Sequence, residues 1–445
     1  MNDENNLHRK EGSINGPNSS SIFYFNGSME NMIGEQNGGS VLSEGAYGCV
    51  FMPRVGCDGK QTDDKKYISK IQVYDETANN EIEISKKVNN NIDTVKMMFA
   101  PVEETCNIDI NKIEDGTKEE CNILKKTNKK YINMKIRFVD KLIFFDYMKQ
   151  ETDHNIFNVF LDNYNYLLVS ISKLVDNNII HMDLKGNNIM MDTGKNIPII
   201  IDFGLSIDMN KLTSHNNSMI HMDENRENLS TLNIMIDNKY LKQSFYVYGP
   251  DYFVWAPEIH YINYLVNVND TPDKEEIKGI CNSIIDGIIV LKRLYNEDFI
   301  DKMKIVLYNY YLRFHNKHKD ECINILLSYS NSWDKYSLSM IFLRILSYII
   351  LNNNTSSLTE YNSKFIKSFS KILLYNIHPN PSKRYSIEKN IDQINKYIYY
   401  KSYGDVEFLD NMKTVMPNNE ITSKIIKSDE EYISKISKDT IRREK

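Results

Sequence analysis

The chain is poor in the residues that punctuate and staple small folds. It has 10 prolines and 18 glycines in 445 residues, too few for a collagen-like or Gly/Pro low-complexity protein. Its six cysteines, Cys49, Cys57, Cys106, Cys121, Cys281 and Cys322, include no CxxC pair and follow no regular spacing. That excludes a small disulfide scaffold, and the six read as free thiols of a reducing, cytoplasmic compartment. A basic excess is missing too: 54 Lys and Arg stand against 60 Asp and Glu, a net charge of −6. Non-specific nucleic-acid binding needs a basic footprint, so no nucleic-acid partner is expected. Long apolar runs are absent. The strongest, Met340–Leu351, is interrupted by Arg344 and falls short of the roughly 20 residues of a membrane span. It predicts a buried helix and no membrane partner. The opening MNDENNLHRKEG has no apolar stretch of the kind a signal peptide carries.

What is present fits a globular chain. Hydrophobic residues make up 41% and charged residues 26%, enough for a sizeable core. Residues 1–38 are rich in Asn, Ser and Gly and read as a disordered tail, unable to bury enough apolar surface to offset ordering entropy. Residues 400–445 read as a second tail, with a helix expected near Ile421–Ile436. No internal repeat is visible. Between the tails, Val41–Lys70 contains glycines and short β-prone runs that predict a hairpin and a third strand. Asp75–Val88 predicts a helix from Ile82, Ile84 and Val88, and Tyr131–Val139 another strand. Cys106–Lys130 is polar and reads as an insertion. From Asn163 onward helical patterns dominate.

The chemistry concentrates in His181-Met182-Asp183-Leu184-Lys185-Gly186-Asn187-Asn188-Ile189-Met190, followed by Ile199-Ile200-Ile201 and Asp202-Phe203-Gly204. Phosphoryl transfer asks a protein for a carboxylate near the acceptor hydroxyl, metal ligands and charge stabilisation. Asp183 fits the first role. Asn188 and Asp202 offer oxygen ligands for a hard cation such as Mg²⁺. Lys185 can neutralise charge on the moving phosphate.

At this point the sequence resembles the eukaryotic-type protein kinases, and the resemblance covers most of Val41–Tyr399. It implies an α+β, two-lobed protein kinase fold over 39–399. The small β-rich N-lobe would span about 39–138 and the helical C-lobe about 139–399, with ATP and Mg²⁺ bound between them. Leu42, Ser43, Glu44, Gly45, Ala46, Tyr47, Gly48, Cys49 and Val50 resemble the glycine loop over the nucleotide, with Ser43 where the first glycine usually stands. Lys70 is the implied phosphate-binding lysine and Glu81 its partner, with Glu83 as the rival. Ile68 stands where an alanine usually faces the adenine. Trp255-Ala256-Pro257-Glu258 resembles the end of an activation segment. Arg384 would pair with Glu258, and Asp334 would brace the catalytic loop.

Three departures stand out. Met182 replaces the usual arginine before the catalytic aspartate, and a thioether cannot hold an activating phosphate. Asp251 occupies the position of a threonine that usually contacts the catalytic loop. A helical insertion, about 261–330, separates Glu258 from Asp334 and offers a place for a partner. Tyr308, Tyr310 and Tyr311 read as packing within that insertion. Trp255 just before Ala-Pro-Glu, the helical insertion and the Tyr47-Gly48-Cys49-Val50-Phe51 start, together with an AT-rich codon flavour, are similar to the serine/threonine-protein kinases of large DNA viruses, mimivirus-like, which would place the protein in host cytoplasm or virion. The implied activity is transfer of the γ-phosphoryl group of Mg-ATP to a protein Ser or Thr hydroxyl. Two other readings stay open: a pseudokinase-type ATP-binding scaffold, against which the set Lys70, Asp183, Asn188 and Asp202 argues, and a small-molecule phosphotransferase of kinase-like fold, against which Glu258 and Arg384 argue.

Overall fold

The computed structural model describes residues 40–44, 48–125, 129–139, 144, 156–214, 235–352 and 360–394. The two expected tails, the expected helix near Ile421–Ile436 and the loop residues Gly45, Ala46 and Tyr47 lie outside them. The architecture is α+β, with a strand-rich N-terminal part and a helical C-terminal part.

The N-terminal part is built on one antiparallel sheet. Its strands are β1 (Ser40–Glu44), β2 (Gly48–Met52) and β3 (Tyr67–Val73). Helix α1 (Glu76–Asn91) follows, capped by the Asp75 side chain on the Ala78 amide. Then come β4 (Phe99–Ala100), β5 (Val102–Ile108) and β6 (Tyr131–Arg137). The sheet order is β1-β2-β3-β6-β5. Register aligns Val50 with Lys70 and Lys70 with Met134, so these three share a face. On that face Ile132 and Met134 pack with Ala78 and Ile82 of α1. The other face carries Cys49, Phe51, Ile71 and Tyr131.

Two expectations are corrected here. The polar stretch Cys106–Lys130 is inserted between the paired strands β5 and β6 only from residue 109 onward. Its first residues finish edge strand β5, and Ile113, Cys121, Ile123 and Leu124 then cover the outer face of the sheet. The cysteines are not all free thiols either. Cys49 bonds to Cys121 and Cys57 to Cys106, while Cys281 and Cys322 stay free and buried. The bonded pairs are 72 and 49 residues apart in sequence, and each joins a strand residue, Cys49 of β2 or Cys106 of β5, to a residue outside the strands. Disulfides persist in oxidising surroundings, so the cysteine argument for a reducing compartment falls away.

The C-terminal part begins with α2 (Ile156–Asp176), then short strands β7 (Ile179–Ile180), β8 (Ile189–Asp192), β9 (Ile197–Ile201) and β10 (Ile207–Asp208). Helices α3 (Asn238–Ser244), α4 (Pro257–Asn267), α5 (Lys274–Gly287), α6 (Ile289–Leu294), α7 (Glu297–Leu312) and α8 (Lys319–Leu327) follow. The last are α9 (Trp333–Asn352), α10 (Glu360–Asn376) and α11 (Ile387–Ile394). The stretch expected to be a helical insertion is helical, yet it is no satellite. Ile277, Ile284, Leu307, Tyr311 and Ile323 join Trp333 and Leu343 in one continuous core. Tyr261 stacks on Tyr311 at 4.4 Å, which explains the tyrosine run as packing. Met340 lies on α9 and is fully buried, as the sequence predicts. Among the described residues no helix is long and apolar enough to cross a membrane.

Candidate functional site

Two small strand pairings place the chemistry. β8 pairs with β9, and β7 with β10, both antiparallel. The segment 181–188 leaves β7 and enters β8, while 202–206 leaves β9 and enters β10. The two segments are therefore held side by side. Strand β4 pairs in parallel with β9 through Phe99 and Ala100, so the N-terminal part is tied to the same platform.

Lys70 is the meeting point of three elements. Its Nζ donates to Glu81 Oε1 at 2.9 Å and Oε2 at 2.8 Å on α1, and to Asp202 Oδ1 at 3.1 Å after β9. Glu83, the rival partner, instead binds Lys211 at 2.9 Å. Burial alone would lower the Lys70 pKa, but the Asp202 and Glu81 carboxylates outweigh it and hold the ammonium above its ordinary value. Burial likewise opposes ionisation of Asp202, and Lys70 and Lys185 overcome it, keeping that carboxyl below its usual range. An ammonium that stays charged between two carboxylates is a fixed cation for anionic ligands.

Asp183 is buried and fully engaged. Its Oδ2 accepts from Lys185 Nζ and from Asn188 Nδ2, both at 2.9 Å. Its Oδ1 accepts from the Tyr252 hydroxyl at 2.5 Å. Asn188 Nδ2 also bonds the Asp183 carbonyl at 2.8 Å, which leaves Asn188 Oδ1 buried with no hydrogen-bond partner. An orphaned buried amide oxygen near carboxylates suits a hard cation, because such ions take oxygen ligands. Asn188 and Asp202 thus fit the Mg²⁺ role expected of them.

The backbone here is strained and heavily braced. Met182 and Asp202 have φ of 66° and 64°, a region that costs L-residues about 1–3 kcal/mol unless the surroundings enforce it. Asp334, at the start of α9, accepts from the amides of His181 at 2.7 Å and Met182 at 3.0 Å. Trp255 Nε1 donates to the Met182 carbonyl at 2.8 Å. Phe203 is buried and packs edge-on against Phe99. Asn80 of α1 donates to the carbonyl of Ser206 at 2.8 Å. Further out, Arg384 grips Glu258 through two bonds of 2.8 and 2.9 Å, with both side chains almost fully buried.

The expected loop residues divide. Val50 lies on the Lys70 face of the sheet. Cys49 is on the opposite face, in a disulfide. Leu42 is half-buried and Ser43 buried. The Glu44 carboxylate accepts from the Asn122 amide and side chain. Gly48 must be glycine, since a Cβ there would sit 2.4 Å from the Ile71 carbonyl. Asp251 is exposed and Tyr252, one residue on, reaches Asp183 instead. Only one residue separates the two, and the position of the usual threonine points to Asp251 and not to Tyr252.

Neither a scan against protein-family models nor a search of the curated proteins finds a match to this chain.

Proposed function

We propose that this chain is a Mg-ATP-dependent protein serine/threonine kinase, with ATP held between the two parts. The observation that carries the reading is the convergence on Lys70. A lysine from β3, a glutamate from α1 and an aspartate after β9 meet within hydrogen-bond distance, beside a buried Asp-Lys-Asn group. The resemblance described above assigns that arrangement to phosphoryl transfer.

In this reading Lys70 holds the nucleotide phosphates and Glu81 fixes its direction. Asp183 orients the acceptor hydroxyl and takes its proton. Lys185 stabilises charge gathering on the transferred group. Mg²⁺, held by Asn188 Oδ1 and Asp202, would neutralise phosphate charge. The bracing by Asp334 and Trp255 keeps Asp183 in place, which matters because such catalysis is mostly positioning.

The test is incubation of the purified chain with labelled Mg-ATP and generic acceptors, followed by phosphoamino-acid analysis. Asp183→Asn should abolish transfer while sparing Mg-ATP binding, and Asp202→Asn should weaken that binding. Unchanged turnover in both variants would sink the assignment. A nucleotide-binding scaffold is the second reading, favoured by the Tyr252 hydroxyl on Asp183. It predicts binding without transfer.

A further inference from the structure

The carboxylate that would take the acceptor's proton already has a hydroxyl on it, supplied by its own chain. A general base must lie within hydrogen-bond reach of the proton it removes. Asp183 Oδ2 is committed to Lys185 and Asn188. Oδ1 is therefore the oxygen left for an acceptor, and Tyr252 donates to it.

Tyr252 is not there by loose chance. It lies in a turn closed by two main-chain bonds, its own amide to the Gly249 carbonyl and the Trp255 amide to the Tyr252 carbonyl, both 3.1 Å. Its ring stands edge to face on Trp255 at 5.0 Å, and Trp255 holds the Met182 carbonyl. The turn is backed by α5, where Gly287 lets helix and turn touch. A Cβ at Gly287 would come within 2.9 Å of the Asp251 Cα. Burial and the Asp183 charge raise the Tyr252 pKa well above its ordinary value, so the hydroxyl remains a donor.

Resting on the kinase reading, we propose that Tyr252 is a built-in acceptor mimic: its hydroxyl fills the acceptor position at Asp183, and a protein hydroxyl is phosphorylated only after displacing it. Apparent acceptor affinity then falls by the fraction of molecules in which Tyr252 is in place. A hydroxyl that merely positioned Asp183 would have the opposite effect when removed.

The sign of the change in Tyr252→Phe decides between them. The variant keeps the ring on Trp255 and loses only the donor. With dephosphorylated casein as acceptor, the expected result is a drop in acceptor KM of about threefold or more, with kcat not lowered and Mg-ATP affinity unchanged. Mg-ATP hydrolysis without acceptor should rise too, since water gains access to Asp183. An unchanged or higher KM, or slower hydrolysis, overturns the proposal. The unaltered chain gives a second readout that needs no variant. Tryptophan emission, to which Trp255 contributes beside the buried Trp333, should shift when a tryptophan-free casein peptide is added with Mg²⁺ and a non-hydrolysable ATP analogue, and no shift at saturating peptide overturns the proposal. Asp183→Asn separates the two layers. Transfer that is lost in Asp183→Asn but not improved in Tyr252→Phe removes this proposal alone. Absence of both Mg-ATP binding and transfer in every form removes the kinase reading, and the proposal with it.

Discussion

The two parts of the molecule are held together by different means. The strand-rich part divides the apolar residues of its sheet among small clusters on two faces, and two disulfides cross-link it. The helical part has one core running from α2 to α11, and its two cysteines are free. Small layers bury a lower fraction of their surface than large ones. The strand-rich part therefore leans on covalent links, on the face of α1 that Ile84 and Val88 bury in the large core, and on ion pairs to the other part such as Lys70–Asp202 and Lys87–Asp208. The helical part leans on burial, with Glu258–Arg384 and Asp334 as polar anchors inside it.

The largest effect is expected on the helical side. Arg384→Ala leaves Glu258 charged and uncompensated in the core. Breaking such a pair from one side costs about 3–5 kcal/mol, so calorimetry should find a large fall in the thermal midpoint. A midpoint equal to that of the wild type would show that this anchor does not hold the helical part.

The next effect belongs to the strands. Reduction, or Cys49→Ser with Cys121→Ser, should cost about 2–4 kcal/mol. The loss should appear first in amide exchange across β2, β3 and β5 and leave α9 protected. Uniform loss of protection across both parts would show that the disulfides support the whole molecule alike.

The smallest effect sharpens the same contrast inside the large core. Lys335 is 2% exposed, and burial, aided by the nearby Arg384 charge, lowers its pKa to about 7 from 10.5. Between those values the folded chain binds fewer protons than the unfolded one, so stability rises with pH across the window. Below about pH 7 both states are protonated and the burial cost is felt in full. Lys335→Met should remove that slope and raise stability near neutral pH by on the order of 1–2 kcal/mol. Thermal midpoints measured from pH 7 to pH 10 check it; a slope that survives the substitution would point to another group.

Much of the site was legible because its residues lie in short contiguous runs. His181–Met190 and Asp202–Gly204 carry their roles in local order, and the pairing of Lys70 with Glu81 follows from one strand and one helix. Glu258–Arg384 and Asp334 were readable only through resemblance, since nothing local shows a contact across 126 residues. Three features were not readable. Strand β5 exposes Glu104, Thr105 and Asn107 at a sheet edge, where charge is useful against unwanted pairing but polar residues hide the strand's alternation. The disulfides depend on how connecting segments far apart in sequence fold back onto β2 and β5. Tyr252 was masked by Asp251, which holds the expected position and takes no part in the site.

The contact at Gly287 has a consequence for descent. Any side chain there would push α5 off the turn that presents Tyr252, because the nearest atoms are backbone rather than a yielding side chain. Substitution at either place is therefore not independent of the other. A lineage that keeps a hydroxyl-bearing ring before Trp-Ala-Pro-Glu should also keep glycine at the end of the second helix beyond it. One that has lost the tyrosine is free to lose the glycine. The two positions are therefore expected to change together among relatives of this chain.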